Sequence, residues 1–237
     1  GHQPHAVERA GRVLVPGKVA AQGGGCCGGG IHLAALAANG FPVTGIDVSP
    51  DVSERARRYL SQVAEFAPSP VDCEVVTADF FEKDPVPAYD LVFHFGVVEH
   101  YLDEDLRMDF WERACGYTRP GGYVVSVVPC GAHLMRPAMR RDGLMGYHAD
   151  IPEIDYTCAI HRDEFERAGL EVLTVMPHSF LFFLTAIRNP VLRKALFFAL
   201  YPPANAVLPH LPLPARLTER LAQSIIAIGR KPAADVL

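Results

Sequence analysis

Residues 18–50, KVAAQGGGCCGGGIHLAALAANGFPVTGIDVSP, constrain the fold of this chain more than any other stretch. Every residue from Gly23 to Gly30 is Gly or Cys. A loop so poor in side chains can turn tightly and bring its backbone against another group where a Cβ would collide. The run KVAAQ before it reads as a short strand. Ile31 to Ala38 has the Ala/Leu pattern of a helix, closed by Asn39-Gly40 as a C-cap. FPVTGI then reads as a second strand ending on Asp47. Strand, glycine turn, helix, strand and acid fit in the roughly 30 residues of a nucleotide-binding βαβ unit. In such a unit Asp47 accepts hydrogens from two ribose hydroxyls. A flexible linker would explain the glycines but not the acid at that distance.

Apolar runs and turn signals keep alternating beyond this unit. Pro50 to about Ala64 reads as a helix capped by Ser49 or Asp51, with Val52, Ala56, Tyr59, Leu60 and Val63 on its apolar face. CEVVTADFF is a strand running into a loop at Asp79, and YDLVFHF is a strand that gives way at Gly96. Asp103 to Tyr117 is helical, with acid in its first turn where the helix dipole favours it. RPGG at 119–122 is a turn, and YVVSVVP is a buried strand. This order predicts an α/β, doubly wound, mostly parallel sheet with helices on both faces. Ligands of such sheets sit beyond the carboxyl ends of the strands. Asp47, Asp79, the His94–His100 stretch and Pro129 all fall at those ends. Before the glycine loop, Ala6 to Val15 reads as a short helix covering one edge. Residues 130–158 lack a steady period and read as a lid. His161 to Gly169 is a short helix, LEVLTVMP a strand and SIIAIGRK the last strand.

At 237 residues and 49% hydrophobic content the chain can bury one full core. The expected division is a single domain over 1–237, its core at about 18–178 plus 223–231 and a variable apolar cap at 179–222. The net charge of −5 argues against a nucleic-acid partner held by phosphate contacts. That charge is unevenly spread, because residues 179–237 carry +5 and the remainder −10. The six cysteines show no metal-ligand spacing. Free thiols, no leader pattern and no apolar run of about 18 residues lead to the expectation of a cytoplasmic protein without a spanning helix.

Taken together, these pieces resemble the class I S-adenosylmethionine-dependent methyltransferases of the small-molecule O-/N-methyltransferase type. The matching pieces are Gly28–Gly30, GIDVSP at 45–50, TADFF at 77–81, YDLVFHFGVVEH at 89–100, RPGGYVV at 119–125 and the tail QSIIAIGRKP. The resemblance implies a Rossmann-like seven-stranded sheet whose last strand is antiparallel, with S-adenosylmethionine as cofactor. It implies that Gly28 and Gly30 lie against the methionine and ribose part of that cofactor. Asp47 would bind the ribose hydroxyls with Val48 against adenine, and Asp79 the adenine amino group with Phe80 beside the ring. His94 and Phe95 would line the floor near the sulfonium. At the start of the loop, Gly24 and Cys26 stand where the family places an acid and its first loop glycine.

For a small-molecule acceptor that must lose a proton, histidine titrates in the useful range. His100 is the first candidate base, with His94 and His148 in reserve. Glu99-His100 resembles the signature of ubiquinone-type O-methyltransferases that hold a divalent metal with a further acid three residues earlier; that position is Gly96 here, so no metal is expected. Segment 179–222 reads as a helical cap, as the wall of a pocket for a partly apolar acceptor, as a contact with an anionic membrane surface, or as a homodimer contact. Two rival functions stay open. One is an NAD(P)-dependent oxidoreductase, since Gly23, Gly25 and Gly28 match the dinucleotide fingerprint and Asp47 follows nineteen residues after Gly28. The other is a protein of this fold that has lost methyl transfer.

Overall fold

The computed structural model describes residues 13–16, 30–67, 70–82, 84–143 and 151–233. Its first strand, β1 (Val13–Pro16), lies at the centre of the sheet, with Val13, Leu14 and Val15 buried. The chain resumes with α1 (Ile31–Ala38), β2 (Val43–Asp47), α2 (Pro50–Phe66) and β3 (Cys73–Thr77). Next come β4 (Tyr89–Phe95), α3 (Glu104–Tyr117), β5 (Thr118–Pro129), α4 (Arg136–Asp142) and α5 (Cys158–Arg167). The last elements are β6 (Glu171–Phe180), α6 (Pro190–Val207), α7 (Ala215–Leu221) and β7 (Ala222–Arg230).

The seven strands form one sheet in the order β3-β2-β1-β4-β5-β7-β6. The first five in that order are parallel, and β7 runs antiparallel to both of its neighbours. This is the mostly parallel sheet with a reversed last strand that the sequence implies. The strand order switches between β1 and β4, which opens a crevice at their carboxyl ends. Helices α1 and α2 cover one face through Leu33, Ala34, Ala37 and Leu60. On the other face α3 and α5 supply Phe110, Trp111, Ala114 and Phe165, packed on Val92, Val124 and Ala227.

Several boundaries differ from the sequence reading. Val13 to Val15 is strand, not the end of a helix. The rest of the helix read from Ala6 and the KVAAQ run lie outside the described residues. Helix α5 starts at Cys158, one turn earlier than read, because the Thr157 hydroxyl accepts from the Ile160 amide and caps it. The 119–122 turn survives as a bulge inside β5. Thr118 pairs with Tyr89 and Tyr123 with Leu91, and Gly121 takes a left-handed φ of 77° between them. In the 130–158 segment, α4 is fastened rather than loose. The buried Arg136 guanidinium donates from Nε to Asp155 (2.8 Å) and from an Nη to Glu153 (2.9 Å).

The chain between β6 and β7 is helical, with 3-10 turns at Phe182–Ala186 and Leu208–His210 besides α6 and α7. Its exit is tied to the carboxyl edge of β5. The Glu219 carboxylate accepts from the Cys158 amide (2.8 Å), and the Glu219 carbonyl accepts from the Cys130 thiol (3.3 Å). Burial pushes the Cys130 thiol up to about 11, which keeps it protonated as that donor.

Candidate active site

The crevice is built from two acids that end adjacent strands. Asp47 closes β2 and is 1% exposed, with its Oδ1 accepting from the Ser49 amide at 2.9 Å. Ser49 in turn caps α2, its hydroxyl accepting from the Val52 amide. Asp79, just beyond β3, repeats the motif, its Oδ1 accepting from the Phe81 amide at 2.9 Å. The Ala78 amide donates to the Asp47 carbonyl, which ties the two loops side by side. Each acid therefore holds its loop with one oxygen. An Asx turn of this kind fixes the carboxylate on the strand end. Between them Val48 is exposed. Gly30 begins α1 with φ 88°, and a Cβ there would meet Ala56 backbone at 3.2 Å. Glycine is needed at that point both for the left-handed turn and for the close approach of α1 to α2. Gly28 lies outside the described residues.

At the end of β4 strand alternation separates two residues that the sequence reading placed together. Phe95 is exposed at the crevice and stacks on the His32 imidazole, ring centroids 5.0 Å apart. His94 points to the opposite face, sealed between Phe110 (5.1 Å) and Trp111 (5.2 Å). Neither of its ring nitrogens has a hydrogen-bond partner among the described residues. Burial, and secondarily nearby His161, hold its pKa well below the ordinary histidine range. The structure thus corrects the placing of His94 on the cofactor floor and in reserve as a base. A second correction concerns Phe80, which is buried against Phe110 and Tyr117 rather than flanking the crevice. The Asp79 turn sends Phe80 inward and leaves Phe81 at the edge, where it meets Tyr101 edge-on.

His100 lies in the 3-10 turn Val98–His100 that follows β4 and keeps partial exposure. Its Nε2 is 3.9 Å from a Glu99 oxygen and its Nδ1 3.5 Å from the Pro152 carbonyl. His148 lies outside the described residues. Sequence reading passed over His32, although a histidine in the first turn after a glycine loop is a visible signal. Partial burial lowers its pKa, which favours the neutral ring in the stack on Phe95. Among the described residues no three His, Cys, Asp or Glu side chains gather as a metal site would require.

Residues 26–124, from the glycine loop into β5, match the family model described as Methyltransferase domain. That likeness spans less than half of the chain. Over 145 residues the chain is 26% identical to the probable thiol methyltransferase 2 of Arabidopsis thaliana. That match takes in 61% of the chain and 55% of the relative, so the chain spans about half the length of the curated relative it matches. Among solved structures, an S-adenosylmethionine-dependent methyltransferase from Mesorhizobium loti superposes with a TM-score of 0.58 at 15% identity, over 94% of this chain and 92% of that one. Magnesium protoporphyrin IX methyltransferase from Synechocystis, solved with bound SAH, gives 0.57 at 14% identity, over 94% and 74%. At these identities the likeness is one of fold. Among the described residues the sheet, with β7 reversed between β5 and β6, lacks the second parallel mononucleotide half of a dinucleotide fold. The oxidoreductase reading is set aside on that ground.

S-adenosylmethionine is the cofactor that this likeness implies, and the acceptors of the crevice fit it. Carboxylates only accept hydrogen bonds, so Asp47 and Asp79 would take those of the ribose diol and the adenine amino group. Val48 and Phe95 add exposed apolar surface for the flat and aliphatic parts.

Proposed function

We propose that the chain transfers a methyl group from S-adenosylmethionine to an oxygen or nitrogen of a small, partly apolar molecule. The observation that carries this reading is the pair of Asx-fixed carboxylates, Asp47 and Asp79, on adjacent strand ends beside Gly30. When bound, the cofactor supplies a methyl group already activated on a sulfonium, so alignment and desolvation are most of what the protein must add. In this reading Asp47 and Asp79 orient the nucleoside, Val48 and Phe95 exclude water around it, and His100 takes the proton of a hydroxyl acceptor. The apolar cap tied to the β5 edge through Glu219 is the support for an acceptor with apolar character.

Calorimetric titration with S-adenosylmethionine is the direct test. Asp47→Ala is expected to weaken its binding by about 1.5–3 kcal/mol, the range for losing a hydrogen bond to a charged group. Equal binding by the variant, or preference for NAD(H), would remove the reading. No binding of either cofactor would support a fold that has lost methyl transfer.

The Arabidopsis relative, named as a thiol methyltransferase, favours a second reading in which sulfur is the acceptor. A thiol ionises near pH 8.5 without help, whereas a hydroxyl needs a base. His100→Ala should therefore lower kcat by about 10²–10⁴ with a hydroxyl acceptor and leave cofactor affinity unchanged. Full turnover by this variant on thiol acceptors, with none on hydroxyls by the parent protein, selects the thiol reading.

A further inference from the structure

We propose that α6 and the turn after it form a docking face for the headgroup region of an anionic lipid bilayer. Helix α6 leans on the body through one stripe. Phe197 and Tyr201 stack at 4.5 Å and both meet Phe182, while the Asn205 side chain accepts from the Phe180 amide (2.9 Å) and donates to its carbonyl (3.1 Å). The opposite stripe at helical spacing is Val191, Ala195, Ala199, Pro202 and Ala206, all exposed and all apolar. Val191 is 77% exposed, and Phe198 beside the stripe is 72% exposed. No residue of α6 is fully buried. A surface helix ordinarily turns its apolar side inward and its charges outward. Here the outward side is the apolar one, and such a patch marks a surface that something covers.

The charge around the patch selects the occupant. Between Phe180 and Ala222 every exposed charge is positive, from Arg188, Arg193, Lys194, Arg216 and Arg220. The single acid there, Glu219, is buried and bonded to the Cys158 amide. Arg193, Lys194, Arg216 and Arg220 form no ion pair among the described residues. A symmetric contact with a second copy through this face would set the same cations against one another. An anionic bilayer instead offers apolar depth for Val191, Leu192 and Phe198 and counter-charge for the exposed Arg193 and Lys194 at the start of α6. Pro202 and Pro203 inside α6 withdraw the amide donors that the Phe198 and Ala199 carbonyls would otherwise receive. Those carbonyls need water, which headgroups admit and the hydrocarbon core does not. Consistent with lying on a bilayer, no helix among the described residues is long and apolar enough to cross one.

The face stands at the edge of the sheet where β5 and β6 end, because Phe180 pairs with Ala222 and Pro129 with Ser224. Docking there would present the carboxyl edge of the sheet toward the bilayer. The proposal does not depend on methyl transfer, and its test uses none.

The test is co-sedimentation of the full chain with vesicles. Equal parts of phosphatidylcholine and phosphatidylglycerol should bind it at low salt, and vesicles of phosphatidylcholine alone should bind it much less. Each cation near an anionic surface strengthens binding by about fivefold, so the double variant R193E/K194E should bind more than about tenfold more weakly. Phe198→Asp should weaken binding through the apolar contact and, being exposed, should keep the parent unfolding midpoint. Failure of the parent protein to bind the mixed vesicles, or parental binding by R193E/K194E, overturns the proposal. So does a dimer in light scattering that Phe198→Asp dissociates, if vesicle binding is absent, since that outcome gives the face to a second copy.

Discussion

Glu164→Ala is expected to lower the unfolding free energy by about 3–5 kcal/mol, the cost of stripping a buried ion of its partner. Glu164 sits inside the α3–α5 layer and accepts three bonds from residues far off in sequence or across the layer. Arg107 Nε donates at 2.8 Å, Trp111 Nε1 at 2.9 Å and the Tyr156 hydroxyl at 2.6 Å. Trp111 and Tyr156 are fully buried, and Arg107 is nearly so. Alanine leaves a guanidinium, an indole N–H and a phenol pointing at a void, each with its desolvation already spent and nothing in return. Since a domain's whole stability is of order 5–15 kcal/mol, the variant should be marginal or unfolded at room temperature. Urea unfolding of Glu164→Ala and Glu164→Gln checks this. Glutamine keeps one acceptor and should fall between the parent and alanine. An alanine variant within about 1 kcal/mol of the parent would mean that the network contributes little.

Acidification is expected to unfold the protein through the same layer. His161 is fully buried against Trp111, Tyr156 and Phe165, and burial lowers its pKa from 6.5 to about 3. His94, across Trp111, is displaced in the same direction. In the folded chain these rings stay neutral, while in the unfolded chain they take up protons near pH 6.5. The unfolded state therefore binds more protons over that window, and stability falls as pH drops below about 6.5. The contribution of His161 is fully present above its unfolded pKa and is used up near pH 3. At 1.36 kcal/mol per unit, that comes to roughly 5 kcal/mol from His161 alone. Stability measured by urea titration from pH 7 to pH 4 should slope upward with pH. His161→Leu should reduce the slope between pH 6 and 4 by about one proton. An unchanged slope would show that the ring is solvated or charged in the folded state.

Much of the sheet was legible as sequence because the β-branched runs at β2–β5 and β7 are bounded by glycine, proline and acid, and because Asp47 and Asp79 fall where those runs stop. What escaped the reading had physical reasons. Val13, Leu14 and Val15 of β1 are buried whichever face they point to, so this short run shows neither alternation nor helical period. His94 and Phe80 were misplaced because a residue's position at a strand end does not say which way it faces. The alternation of β4 and the Asx turn at Asp79 decide that, and both are settled by one bond or one register step. The Glu164 hub was invisible for a different reason. Its donors lie 57, 53 and 8 positions away and meet only after α3 and α5 pack. Helix α6 reads as an apolar run either way. Only the contact of Phe197 and Tyr201 with Phe182 reveals that its other side is left facing out.

The pairing of Phe180 with Ala222 makes the whole cap a single hairpin loop, entered and left at neighbouring points of the sheet. Closing a loop whose ends are already held together costs only about 0.6 kcal/mol more for each doubling of its length. The crevice of Asp47 and Asp79 lies several strands away, on β2 and β3. Changes of length between 190 and 214, short of the Glu219 tie, are therefore cheap for loop closure and remote from the ends of β2 and β3. A lineage built on this frame can change what it touches, and where in the cell it rests, by rewriting one loop while the sheet beneath it stays as it is.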